Sequence, residues 1–352
     1  MNQNEKDLFL QLCKFRNPNK KKIERLLIKD SATPELLGML FANRVAGIAG
    51  GVLKETELLD QTDREFRNAL HHAAMLNRKI NEDYVGCLKF LSVELDNCGV
   101  PYALLKGAYL CPWYPAGYRI SNDIDVLVSP DDVGKISSRL KLAGFRQGHL
   151  KNGQFVDATR QEIIESKMMR GETVPFIKKI RLPYINYLEV DLNFSLDYKN
   201  STGETVKTLL ERTQVKNVSS TNIRTLDSLD FLLHLCAHLY KEATTMPWIR
   251  MKRDMTFYKY CDIYALLHDF SYEQLNELLD RAKGLCLEKE LAYCLNSINA
   301  FFGTKYSVCF DKNELNDVVA PSEKKIYRYI EDDPAKRFFI KDRFKLLSEV
   351  FQ

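Results

Sequence analysis

Residues 3–100 read as helices. Leu8, Leu10, Leu12 and Phe15 open the chain, and Pro34 to Ala46 is a short segment apolar on one side, with Thr33 as N-cap before Pro34. From Thr62 to about Asp96, Phe66, Leu70, Ala73, Leu76, Ile80, Tyr84, Leu88 and Leu91 recur every three to four positions, the period of a helix face. The stripe fits one long helix or two. Near Gly99 the rhythm changes. Val100 to Leu105 is a short apolar run that ends on Lys106-Gly107 and reads as a buried strand. Ala108 to Trp113 has room for one or two helical turns, stopped by Pro115 and Gly117. Ile124 to Val128 is a second, β-branched strand. Pro130-Asp131-Asp132 opens a helix to Leu142, closed by Gly144. Residues 145–182 mix both textures, with short strands expected at 154–157 and 174–180. Asn186 to Leu196 alternates apolar and polar positions, the period of a strand. From Ser228 to the end the helical spacing returns, at Leu229–Tyr240, Met255–His268, Tyr272–Lys283 and Glu288–Ala300. The expected organisation is α+β: an N-terminal helical region (1–98), a core around a small mixed β-sheet (99–226), and a C-terminal helical domain (227–352).

Composition narrows the class. The 352 residues are 45% hydrophobic and 28% charged, which excludes disordered, collagen-like and fibrous chains. A net charge of +4 fits a polyanionic ligand such as a nucleoside triphosphate, but it is spread too evenly to mark a nucleic-acid binder. The strongest basic run, Lys20-Lys21-Lys22 with Arg25, reads as a solvated helix start. Nine cysteines are scattered, with no Cys-x-x-Cys pair, so they read as reduced core thiols. The N-terminus is polar, without a signal-peptide pattern, and no apolar run reaches the ~18 residues of a membrane span. These features predict a cytoplasmic protein with no membrane partner.

The candidate chemistry lies in Asn122-Asp123-Ile124-Asp125-Val126-Leu127-Val128. Side chains at i and i+2 of a strand share a face, so Asp123 and Asp125 present two carboxylates together. Two carboxylates that close repel unless a cation neutralises them, and Mg2+ takes carboxylate oxygens together with substrate phosphates. An Asp-x-Asp pair by itself usually marks a solvated turn. Here the second aspartate runs into Val126-Leu127-Val128, where an unliganded carboxylate is costly. Asp191, in Leu188-Glu189-Val190-Asp191-Leu192, is the candidate third carboxylate, with Glu189 in reserve on the same face. Gly107 lets backbone approach a phosphate, Lys106 supplies a point charge, and Arg119 can pair with phosphate or aspartate.

Leu104-Leu105-Lys106-Gly107-Ala108, then Arg119, then the Asp-Ile-Asp strand resemble the polymerase-β-like nucleotidyltransferase superfamily. They are most similar to its poorly characterised branch with a Leu-Lys-Gly element and an Asp-x-Asp strand. Leu188 to Asn193 is similar to that branch's third-carboxylate strand, and Leu233 to His238 with Cys261-Asp262-Ile263 resemble its helical second half. The match spans about residues 100–265. One position departs: Ala108 follows Gly107 where the superfamily usually carries Gly or Ser. The resemblance implies that 99–226 is a nucleotidyltransferase core with the nucleotide between core and helices. Asp123 and Asp125 would be shared metal ligands. Asp191 would bind the catalytic metal and help deprotonate the acceptor. Lys106, Gly107 and Arg119 would bind the triphosphate. It further implies two Mg2+ ions, or Mn2+, with an NTP as co-substrate, attack of an acceptor on the α-phosphate, and release of pyrophosphate. A small-molecule acceptor is expected from the weak basic surface. The alternatives are a protein or tRNA acceptor, as in toxin-like relatives, or an inactive nucleotide-binding protein.

Other residues carry plainer expectations. His234 and His238 share a helix face, but Leu235 stands where a zinc protease has Glu, so they read as ordinary helix histidines, one of which could line the cleft. Asp262 reads as a buried structural aspartate. Trp113, Tyr114 and Tyr118 read as packing residues, one of them a candidate for stacking on a base. His71-His72 reads as helix surface, and Arg250, Lys252 and Arg253 as a solvated basic cluster.

Overall fold

A computed structural model describes residues 1–29, 31–196, 203–244, 248, 251 and 253–306. The protein is mixed α+β, and its contacts divide it into two compact units: residues 76–231, and residues 1–75 together with the described part of 232–352. The expected helix beyond residue 306, together with Cys309, Arg250 and Lys252, lies outside the described residues.

The helical unit is built from α1 (Gln3–Leu12), α2 (Lys20–Leu27), α3 (Pro34–Ala42) and α4 (Ala46–Glu55). A 3-10 turn (Leu59–Gln61) follows, then the start of α5 (Arg64–Asp96). Beyond the sheet unit come the greater part of α10 (Ser228–Ala243), α11 (Tyr258–His268), α12 (Tyr272–Gly284) and α13 (Glu288–Phe302). Local signals start these helices. Asn2, Thr33 and Ser271 each accept a backbone N–H in the first turn, and Pro34 stands at the first position of α3, where its missing N–H has no cost. The apolar faces meet in an aromatic core: Phe257 lies 5.0 Å from Phe9 and 5.1 Å from Phe301, ring centre to ring centre. Asp262 is buried on α11, and the exposed His71 and His72 stand on α5. None of the eight described cysteines is in a disulfide; seven are buried and Cys286 is exposed. Among the described residues no single helix is long and apolar enough to cross a membrane, although α3 and α4, bent by 119°, pass that test as a pair.

The other unit holds a six-stranded mixed sheet. Its strands are β1 (Tyr102–Leu104), β2 (Asp123–Val128), β3 (Arg146–Lys151), β4 (Gln154–Asp157), β5 (Phe176–Lys179) and β6 (Tyr187–Asn193), in the order β1-β2-β6-β5-β3-β4. Only β2 and β6 run parallel; every other neighbouring pair in the sheet is antiparallel. A parallel pair needs a long crossover, and here it contains α7 (Val133–Leu142), β3, β4, α8 (Arg160–Arg170) and β5. α6 (Gly107–Trp113) links β1 to β2. After β6 come α9 (Gly203–Glu211) and a hairpin of β7 (Gln214–Val218) with β8 (Thr221–Thr225). Thr225 Oγ1 donates to the Leu104 carbonyl at 2.6 Å, which joins the hairpin to β1.

Five elements were not foreseen: β3, α8, α9, and β7 and β8 of the hairpin. The β3 strand pairs at its start with β5 and from Gly148 to Lys151 with β4, and its side chains are largely exposed, so it lacks the apolar alternation of a half-buried strand. The α8 helix starts on a Thr159–Glu162 capping box but carries few apolar positions. The expected helix after Pro130 begins at Val133, with Gly144 at φ 87° just past its end, as its position there suggests. The long stripe from Thr62 forms one uninterrupted helix, α5.

Candidate active site

The parallel register of β2 and β6 sets the site. Asp125 pairs with Asp191 and Asp123 with Glu189, so the four carboxylates share one face of two adjacent strands. The opposite face of β2 is apolar: Ile124, Val126 and Val128 are fully buried. Asp125 is 5% exposed, whereas Asp123 and Asp191 keep partial access to solvent.

Lys106 lies at the turn between β1 and α6. Its Nζ donates to Asp125 Oδ1 at 2.8 Å, and Asn193 Nδ2 donates to the same oxygen at 3.2 Å. Ser121 Oγ donates to Asp123 Oδ1 at 3.0 Å. Gly107 is tightly enclosed: a Cβ there would run into Ser121 and approach the Tyr84 hydroxyl to 3.5 Å. Ala108, at the position where the resemblance departs, is fully buried. Arg119 is buried as well, and its guanidinium donates to the Ile120 carbonyl.

One stripe of α5 holds this loop in place. Asn77 Nδ2 donates to the Gly117 carbonyl (3.0 Å), Asn81 Nδ2 to the Arg119 carbonyl (2.8 Å), and the Tyr84 hydroxyl to the Asp123 carbonyl (2.7 Å). Positions i, i+4 and i+7 lie on one helix face, so a rigid helix anchors the backbone that carries Arg119, Ser121 and Asp123.

The electrostatics follow from the crowding. Burial, then the charges of Asp125, Asp123, Glu189 and Glu172, push the Asp191 carboxyl well above the usual aspartate range. Burial and Asp125 also raise Asp123, with Lys106 and Ser121 pulling it partly back. Glu189 is raised by burial and then by Asp123 and Asp125. Among the described residues no three His, Cys, Asp or Glu side chains are gathered as a finished cage for a cation; Asp125 Oδ1 is engaged by the ammonium and the amide instead. What fits a divalent ion is the donor chemistry: hard carboxylate oxygens on one face, with Asp123 and Asp191 both raised by burial and then by the charge of Asp125.

The structure thus brings together Asp123, Asp125, Asp191, Glu189, Lys106 and Gly107. Arg119 lies on the clamped loop beside them. Asn193, Ser121 and Tyr84 had no assigned role in the sequence. Asn193 continues the period of Glu189 and Asp191, a signal that was there to read. Tyr84 is 39 positions from Asp123 and gave none. His238 Nε2 is 3.2 Å from Glu242 Oε1, and its ring stacks on His234 at 6.4 Å between centres. Trp113 stacks on Tyr109 at 6.4 Å and meets Tyr114 edge-on at 5.3 Å.

A family model described as an uncharacterised nucleotidyltransferase matches residues 29–303. No curated protein and no solved structure matches the chain significantly.

Proposed function

Because the chain belongs to this uncharacterised nucleotidyltransferase family, we propose that it moves a nucleoside monophosphate group from an NTP to a small-molecule hydroxyl or similar acceptor, releases pyrophosphate, and depends on a divalent metal. The observation that carries this reading is the register that sets Asp125 against Asp191 and Asp123 against Glu189 on one face, with the Lys106 ammonium among them. Asp123, Asp125 and Asp191 would hold Mg2+ or Mn2+, which when bound neutralises charge on the attacking and leaving oxygens. Glu189 stands beside Asp123 as a further carboxylate.

The remaining work is positioning and proton transfer by the chain itself. The acceptor oxygen attacks the α-phosphorus, the bond from that phosphorus to the bridging oxygen breaks, and pyrophosphate leaves. The proton of the acceptor would go to Asp191, which the strand register sets against Asp125 on the carboxylate face. Lys106 and Arg119 place positive charge against the triphosphate, and Gly107 lets backbone approach it. The modest, dispersed net charge of +4 favours a small acceptor over a nucleic acid.

The test is pyrophosphate release and transfer of label from each of the four α-labelled NTPs, with Mg2+ or Mn2+, against pooled small-molecule acceptors. Wild type should turn over one NTP, and Asp125→Asn should lose at least about a hundredfold of that rate, as expected when a group acting on transition-state charge is removed. Failure of wild type to bind any NTP in a metal-dependent way would sink the proposal.

A further inference from the structure

Lys106 has φ 45° and ψ −119°, a conformation that side-chain-bearing residues avoid because Cβ crowds the backbone. Gly107 next door does not have a positive φ, so the strain falls on the lysine and not on the glycine. That strained turn aims the ammonium at Asp125 Oδ1, 2.8 Å away, with the lysine side chain 19% and the aspartate side chain 7% exposed. Asn193 Nδ2 donates to the same oxygen at 3.2 Å. The fold therefore keeps an unfavourable backbone in order to place one positive charge among the carboxylates of β2 and β6. An ammonium and a divalent ion repel each other and compete for one carboxylate oxygen. A lysine carries its charge on a flexible four-carbon stem, so it can leave without the fold moving; the planar fork of an arginine is less suited to that exchange.

We infer that Lys106 is a tethered counter-ion of the metal-free site, which holds Asp125 until metal and nucleotide arrive together and then turns to a phosphate oxygen. This inference rests on the transfer reading above. It makes the ammonium a gate on the order of binding: metal alone has to displace a charge already in place, whereas metal brought with a triphosphate offers that charge a new partner. Metal and nucleotide are then positively coupled through Lys106, each raising affinity for the other.

The test uses Mn2+ alone, titrated into the full chain and followed by the electron paramagnetic resonance of the free ion. The titration is repeated with each of the four nucleoside triphosphates bearing a methylene bridge between α- and β-phosphorus. Lys106→Met keeps the stem and the positive φ but removes the charge. It should bind Mn2+ alone roughly tenfold more tightly than wild type, as expected for loss of one close charge at a partly shielded site, and the gain in Mn2+ affinity from nucleotide should shrink by a similar factor. Lys106→Arg should keep the wild-type suppression. Lys106→Gly removes the charge and relaxes the backbone, so it should match Lys106→Met and decides the matter if the methionine variant fails to fold. Asp125→Asn should weaken Mn2+ binding in every background. Equal or weaker Mn2+ affinity in both charge-free variants overturns the inference. If wild type still binds nucleotide with metal and releases pyrophosphate, the transfer reading survives that result; if wild type does neither, the transfer reading itself has failed.

Discussion

Replacing Gly107 with alanine tests the closest approach in the site. The new Cβ would overlap both Cβ and Oγ of Ser121, and the Tyr84 hydroxyl would lie 3.5 Å from it. A clash with the tip of a long side chain is relieved by a rotamer change. This one strikes a Cβ, so the backbone around Ser121 must shift, and that backbone is held by α5 through Asn81 at Arg119 and Tyr84 at Asp123. Overpacking costs about 1–3 kcal/mol, and the pinned loop places this substitution near the upper end. For a unit of this size a loss of about 2–3 kcal/mol lowers Tm by roughly 5–10 °C. The displaced Ser121 also gives up its 3.0 Å hydrogen bond to Asp123 Oδ1, so metal-dependent nucleotide binding should fall together with stability. The assay is thermal denaturation with and without Mg2+ and NTP, on Gly107→Ala, Ser121→Gly and the double variant. Ser121→Gly removes the obstructing atoms, so the double variant should recover most of the Tm that Gly107→Ala loses, and the non-additivity measures the contact. A Gly107→Ala protein with wild-type Tm would refute the close approach, and additive losses in the double variant would refute Ser121 as its cause.

Two further outcomes follow from the buried charges. In the metal-free protein Asp191, Asp123 and Glu189 bind protons more tightly folded than unfolded, so the native state carries the extra protons and stability falls as pH rises. The loss begins above about pH 4, where the unfolded carboxyls titrate, and continues until pH passes the raised folded values. Tm measured against pH in chelator should slope downward through that window, with a shallower slope in Asp191→Asn; an identical slope in the variant would count against the carboxylate cluster. In the helical unit, burial pushes Glu242 up, but the charges of His238 and Lys259 outweigh it and hold the carboxyl below the usual range. Its contribution is therefore present above about pH 4.3 and is lost as pH falls below that, the unfolded glutamate value. Glu242→Gln leaves the Lys259 ammonium, 9% exposed, without its carboxylate, and breaking such a buried pair should cost about 3–5 kcal/mol at pH 7 in urea denaturation. A loss below about 1 kcal/mol would mean the pair is far better solvated than its burial implies.

By itself the sequence determined what depends on local period and local chemistry. Apolar stripes at three-to-four spacing marked α5 and the C-terminal helices, and Thr33 before Pro34 marked the start of α3. The alternation in a strand is strictly two, so Asp123 and Asp125 had to share a face wherever the strand lay. Only the tertiary structure decided the rest. Which residue of β6 faces Asp125 depends on the register of a parallel pair whose strands are joined by two helices and three further strands, and no local rule sets it. The β3 strand owes its existence to neighbours on both sides and not to its own pattern. Lys106 reads in sequence as a free point charge beside a glycine. Folded, it is a strained residue whose ammonium donates to Asp125, because positive φ and a 19-residue separation from its partner are properties of the packed chain. The clamp of Asn77, Asn81 and Tyr84 on the loop before β2 is likewise invisible until the helix and the loop meet, since each of its hydrogen bonds spans 38 to 40 residues.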